Sequence, residues 1–167
     1  APAVGDTTPS PLGEFEFADL VARACPIPDA VPVAVAVSGG GDSMALALLA
    51  SGWGRRTNRE IKTVTIDHCL RADSRAEAEA VGRWMAARGI SHDILTWSEE
   101  KPSASIQAHA RAARYRLIGE WAEGYAIRHV FLGHQLEDQA ETFLMRLSRG
   151  SGIGGLAAMR GLSERDG

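Results

Sequence analysis

The sequence predicts an α/β fold: a doubly wound, mainly parallel sheet with helices on both faces. Three observations carry this. Apolar runs with the character of buried strands begin near Val33, Ile61, His92 and Val130, and stretches with helical spacing alternate with them. Val33–Val37 is continuously apolar, as expected of a strand covered on both faces. Polar clusters follow the four runs at 38–43, 67–71, 98–103 and 134–138, where the carboxyl ends of parallel strands would gather ligand-binding groups.

With 167 residues, 45% hydrophobic and 23% charged, the chain suits one globular domain with a real core. A formal net charge of −3 argues against a free-standing basic nucleic-acid binder. Lys62 and Lys101 are the only lysines, and arginine supplies the other basic residues. Arginine suits bidentate phosphate contacts, but genome composition is the simpler account of the bias. Cys25 and Cys69 form no C-x-x-C pair, which excludes a zinc ribbon or a thioredoxin motif. Both read as buried or indifferent thiols in a reducing compartment. Without an apolar run of about eighteen residues or a signal-peptide start, the expectation is a cytoplasmic protein with no membrane partner.

Taken in order, residues 1–9 are small, polar and expected to be disordered. A first helix is expected from Ser10, with Pro11 in its first turn, Phe15, Leu20 and Val21 on its apolar side, and Pro26 and Pro28 ending it. The strand Val33–Val37 leads through a glycine turn into a helix from Asp42 to Ala50, stopped near Gly52. Residues 53–60 then read as a polar loop in which Arg55, Arg56 and Arg59 are solvated. A second strand, Ile61–Ile66, ends in Asp67-His68-Cys69-Leu70-Arg71. Ser74-x-x-Glu77 has the form of a capping box for a helix reaching Arg88 and closed by Gly89. His92–Trp97 is the third strand, and Ser98–Ser103 a loop. Ile106, Ala110, Ala113, Leu117 and Trp121 recur at helical spacing within a long helix, Ser105–Glu123. Val130–Gly133 is the fourth strand, followed by a helix from Glu137 to Ser148. His109 and His129 read as surface residues, and Trp53, Trp84, Trp97 and Trp121 as core or sheet cover.

The strongest chemical signal is Ser38-Gly39-Gly40-Gly41-Asp42-Ser43. A strand, a glycine turn and a helix start offer unpaired N–H groups and a positive dipole end to an anion. No Gly-Lys-Ser/Thr follows, so this is not a Walker A loop, and no register gives G-x-G-x-x-G. The hexapeptide matches S-G-G-x-D-S, the pyrophosphate loop of ATP pyrophosphatases, which split ATP between the α and β phosphates and pass AMP to an oxygen of the substrate.

Several families share that loop, and three further segments separate them. Ile66-Asp67-His68-x-Leu70-Arg71 resembles a D-H-x-L-R segment of the tRNA(Ile)-lysidine synthetase family. Gln107-Ala108-x-Ala110-Arg111-x-Ala113-Arg114-Tyr115 is similar to its long-helix segment. Gly133-His134, Asp138-Gln139-Ala140-Glu141-Thr142 and the glycines of 149–156 resemble its pattern after the fourth strand. Gln135 and Glu137 stand where the family has His and Asp. The matches run from about Phe15 to Met159.

The resemblance implies an adenine nucleotide alpha hydrolase-like, Rossmann-like domain over residues 10–167. Its reaction would be the ATP-dependent joining of free L-lysine to C2 of the wobble cytidine of tRNA(Ile) with a CAU anticodon. AMP and pyrophosphate would be released. It implies ATP bound by Ser38, Gly39, Gly40, Gly41, Asp42 and Ser43, with adenine near Ile66 and His68, and phosphate charge met by Arg111 or Arg114. Asp42 would face Mg²⁺. Asp42, Asp138 or His134 would handle the lysine proton, and Arg114 would assist the transfer. Further C-terminal tRNA-gripping domains are expected to lie outside these residues, so that the isolated chain would bind ATP and modify tRNA poorly. A homodimer is left open. The alternatives are another enzyme with this loop, such as a tRNA thiolase or a synthetase domain, and a non-catalytic nucleotide-binding module.

Overall fold

Four strands, β1 (Val33–Ala36), β2 (Ile61–Asp67), β3 (Ser91–Thr96) and β4 (His129–Leu132), form one parallel sheet in the order β3-β2-β1-β4. The helices between and before them are α1 (Glu14–Ala24), α2 (Gly41–Arg56), α3 (Ser74–Ala86) and α4 (Ile106–Gly124). The computed structural model of the chain describes residues 11–102 and 104–133. The helix expected at 137–148 lies outside them.

The order of the strands decides where the helices go. The chain steps outward from β1 to β2 to β3, then returns to the other side of β1 as β4. Parallel crossovers are right-handed, so reversing the direction of travel reverses the face that the connecting helix covers. Side-chain packing agrees. Val33, Val35 and Val37 point to one face, against Phe17 of α1, Ala47, Ala50 and Trp53 of α2, and Met85 of α3. Ala34, one residue out of phase, points to the other face with Ala122 of α4 and Ile127. Trp97, just past β3, packs there with Ala110 and Ala113 of α4. Cover on both faces is why β1 is continuously apolar. Among the described residues no helix is long and apolar enough to cross a membrane.

Several local expectations change. The first helix begins at Glu14 with Gly13 at its N-cap, and Pro11 lies outside it. Its buried residue is Phe17, which meets Trp53 and Phe131 edge-on, while Phe15 and Leu20 are exposed. The expected stop at Gly52 is absent, because α2 continues to Arg56. Gly52 and Gly54 mark close approach. A Cβ on Gly54 would lie 2.4 Å from Ile61 Cγ1 and 2.8 Å from the Arg59 carbonyl oxygen, and one on Gly52 would meet the Glu14 carboxylate at 2.3 Å. Of the three arginines expected to be solvated, Arg55 and Arg56 are exposed and Arg59 is not. Arg59 is buried over the Trp53 ring and donates to the Val31 carbonyl at 2.6 Å. Arg56 donates to Glu14 and Arg55 to Ser51.

The capping box is also replaced. Asp73 is the N-cap of α3 without a side-chain cap hydrogen bond; Ser74 Oγ donates to Asp67 and Glu77 pairs with Arg71. The α4 N-cap, Ser105, is held in the left-handed region at φ 54°. His129 sits half-buried on β4, its Nδ1 3.9 Å from Cys25 Sγ. Cys25 is half-buried and Cys69 exposed.

Gly52 and Gly54 differ in what opposes them. Gly54→Ala collides with backbone and a packed isoleucine, so it is expected to cost about 1–3 kcal/mol, the range for overpacking. Gly52→Ala meets only the end of the Glu14 side chain, which can swing away, and is expected to be near neutral. Urea unfolding of both variants measures the difference.

Candidate active site

The reversal of strand order between β1 and β4 opens a crevice at the carboxyl end of the sheet, the usual ligand position in such folds. Residues 38–43 fill its floor. Gly39 lies at φ 88°, a left-handed conformation open chiefly to glycine, and a Cβ there would also meet Val81 at 3.1 Å. Gly40 and Gly41 do not need positive φ. Gly41 has open space where a Cβ would be, which leaves its backbone approachable.

Two serines close the turn. Ser43 Oγ donates to the Gly40 carbonyl at 2.9 Å and accepts the Ser38 N–H at 3.1 Å. Its single proton is thereby used, so Ser38 Oγ, also at 3.1 Å, donates to it. The Ser38 hydroxyl oxygen in turn accepts the Gly40 N–H at 3.4 Å. Ser43 is buried, and its role is internal to the loop. Gly40 is the N-cap of α2 and supplies no side-chain cap, so the positive end of a sixteen-residue helix dipole lies at the turn. The end of β4 braces the turn from behind: a Cβ on Gly133 would come within 3.0 Å of Ser43 Cα and 3.1 Å of Ser43 N.

A cavity of about 850 Å³ opens above this turn. Ser38, Gly39, Ser43, Ile66, His68 and Arg114 line it, together with apolar walls from Val64, Val81, Ile118 and Leu132. Asp67, at the end of β2, is buried and fixes the next turn: its Oδ1 accepts the Cys69 N–H at 2.9 Å and the Ser74 hydroxyl at 2.7 Å. Burial raises its pKa, but the hydrogen bonds from Cys69 and Ser74 and the Arg75 charge outweigh that and hold it below the usual carboxylate value. His68 is stacked edge-on against Trp97, and its Nε2 accepts from Arg114 Nη2 at 3.5 Å. The proton of the neutral ring is then on Nδ1, which is buried without a hydrogen-bond partner among the described residues. Burial, then the Arg114 and Lys101 charges, lower the His68 pKa against the opposing pull of Asp67.

Of the residues singled out from sequence, Ser38, Gly39, Ser43, Ile66, His68 and Arg114 are brought together around one cavity. Gly40, Gly41 and Asp42 form the adjoining helix start, with Asp42 exposed in the first turn of α2. Arg111 stands apart: exposed, 5.2 Å over the Tyr115 ring, and outside the cavity lining. His134 and Asp138 lie outside the described residues. Sequence reasoning missed the bracing role of Gly133, whose signal was a glycine directly after the fourth strand. It also missed Asp67 as the anchor of the β2 turn, legible only as an aspartate seven residues before Ser74.

The fold and the site together define an α/β nucleotide-binding domain with an anion cradle at its switch point. The PP-loop domain family matches residues 15–167, and the chain belongs to that family. It is 52% identical over 137 residues to a tRNA(Ile)-lysidine synthase of Rhodopseudomonas palustris, covering 81% of this chain and 40% of that protein. With the synthase of the same name from Bradyrhizobium diazoefficiens it shares 43% identity over 166 residues, covering 98% of this chain and 45% of the relative. The chain thus spans less than half the length of these curated relatives. Among solved structures, the U34-tRNA thiolase NcsA from Methanococcus maripaludis superposes with a TM-score of 0.70 at 16% identity, over 82% of this chain and 50% of that one. That likeness establishes a shared fold.

Two outcomes follow from the geometry. Gly133→Ala is expected to cost about 1–3 kcal/mol by urea unfolding and to weaken nucleotide binding, since the Ser43 backbone must move; unchanged binding by equilibrium dialysis would contradict the bracing role. His68 gives a pH dependence. Below its ordinary value of about 6.5 the unfolded chain takes up a proton that the folded ring resists. Stability is therefore full above that pH and falls as the pH drops through it. His92, also shifted down by burial, acts in the same direction. His68→Gln is expected to lose less stability than the wild type between pH 7.5 and 5.5, whereas equal losses would assign the effect elsewhere.

Proposed function

We propose that this chain is the ATP-using catalytic domain of a tRNA(Ile)-lysidine synthase and that it works in the cytoplasm. The observation that carries the proposal is the serine-stapled turn at residues 38–43, opening into a cavity that also gathers Ile66, His68 and Arg114. The names of the relatives supply tRNA(Ile) and lysidine; the family resemblance implies the wobble cytidine of a CAU anticodon as acceptor and free lysine as donor.

The chemistry needs two displacements. The cytidine C2 carbonyl oxygen attacks the α-phosphorus of ATP, the bond to the bridging oxygen breaks, and pyrophosphate leaves. The ε-amine of lysine, having lost a proton, then attacks C2 and expels AMP with that oxygen. In the first step the start of α2 receives the pyrophosphate, where the helix dipole favours negative charge. Arg114, reaching into the cavity from α4, meets charge that builds on the α-phosphate. Apolar walls at Val64, Ile66 and Ile118 suit a flat base. Asp42 orients or accepts the lysine proton, with His134 and Asp138 as the other candidates.

Magnesium is implied by this use of ATP. Among the described residues no group of three or more His, Cys, Asp or Glu could hold a metal ion. The lone Asp42 carboxylate at the cradle fits an ion held mainly by the nucleotide's phosphates, as Mg²⁺ commonly is. Bound there, Mg²⁺ would neutralise phosphate charge.

The test is incorporation of radiolabelled lysine into tRNA by the intact protein. Asp42→Ala is expected to lower it about a hundredfold or more, in the range of a lost general base, with folding unchanged by circular dichroism. Undiminished incorporation would remove Asp42 from the mechanism. A product carrying sulfur in place of lysine, read by mass, would favour the thiolase reading.

A further inference from the structure

We propose that Lys101, in the loop after β3, and Arg111, in the first half of α4, form a cationic wall that holds the phosphate backbone of the RNA substrate, leaving Arg114 to the nucleotide. The proposal rests on the tRNA-modifying function proposed above and names where the RNA approaches.

The two flanks of the cavity differ in charge compensation. On the α3 side, Arg71 pairs with Glu77 and Arg75 with Glu79, at 2.6 and 2.9 Å. That flank is close to neutral. On the β3–α4 side, Arg116 is neutralised by Glu99 and Glu120. Lys101, Arg111 and Arg114, by contrast, form no ion pair with a carboxylate of the described residues. Lys101 Nζ sits 3.8 Å from the centre of the Trp97 ring and donates to the Trp97 carbonyl. The same ring meets His68 edge-on, and His68 faces Arg114. Lys101 and Arg114 thus flank one histidine from two different elements.

Arg111 extends this row outward. It precedes Arg114 by almost one turn, about 4.5 Å along the helix axis. Unlike Arg114, it is exposed and outside the cavity lining. A nucleotide seated at residues 38–43 is therefore met by Arg114, whereas Arg111 and Lys101 lie outside the cavity lining and are left to what covers it. A polynucleotide that inserts one base must trail a charged backbone over that mouth, and phosphate contacts of this kind fix register without reading sequence. Arg111 is thereby assigned to the RNA, where the sequence had suggested ATP.

The experiment compares the intact wild-type protein with a Lys101→Gln/Arg111→Gln double variant in tRNA filter binding between 50 and 200 mM KCl, and with Arg83→Gln, an exposed arginine on α3, as a net-charge control. The double variant is expected to bind tRNA about tenfold more weakly, with a log–log salt slope shallower by about 1.4–1.8, the counterion release of two phosphates. Its ATP affinity by equilibrium dialysis is expected to stay within about twofold of wild type, and Arg83→Gln to bind tRNA as wild type does. Unchanged tRNA affinity and slope, an equal loss in Arg83→Gln, or a tenfold loss of ATP affinity in the double variant would each overturn the wall. A wild-type protein that binds tRNA but never incorporates lysine would defeat the proposed reaction alone, because the wall is judged by binding.

Discussion

The Ser43 hydroxyl is the contact on which the site depends. One side chain accepts the Ser38 N–H, two residues past β1, and donates to the carbonyl of the α2 N-cap, so strand end and helix start become a single turn. Because that hydroxyl is buried and its proton committed, it holds the turn, and what the turn offers a ligand is the start of the α2 backbone. Preorganisation of this kind is what an anion site needs: donors fixed before charge arrives, with no reorganisation when it does. Gly133 completes the constraint by letting the end of β4 press against the Ser43 backbone, which ties the cradle to the same strand pair at which the strand order reverses.

Electrostatics divides the labour around that turn. Asp67 is consumed in holding the β2 turn, its charge kept by two hydrogen bonds despite burial. His68 is kept neutral by burial and by the cations on either side, so its ring serves Arg114 as an acceptor. An arginine held by a neutral partner keeps its full charge for a phosphate; one held by a carboxylate, like Arg71 or Arg116, does not.

How much of this was legible in the sequence depended on range. Strand existence and order of elements followed from apolar runs, most plainly at β1, which is apolar throughout, and less so at β2, whose buried Thr63 and Thr65 hydrogen-bond to neighbouring backbone carbonyls. The loop was legible because strand, turn and helix are contiguous. What failed was long-range in origin. Gly52 looks like a helix stop until Glu14 is seen pressing against it, as Ile61 presses against Gly54. Ser74 and Glu77 have the spacing of a cap, but Asp67 and Arg71 compete for their side chains and win. Phe15 and Phe17 are equivalent in composition, and only the position of Trp53 selects which is buried. Arg111 and Arg114 sit on the same stretch of α4, and only the cavity separates them.

The turn at 38–43 lacks the lysine that would favour attack at the γ-phosphate, and its proposed use is cleavage between the α and β phosphates. The most direct measurement is the identity of the phosphorus products, read by ³¹P NMR, when the intact protein turns over ATP with tRNA and lysine. AMP and pyrophosphate, each equal in amount to the lysine incorporated, are the predicted result. ADP and inorganic phosphate would contradict it.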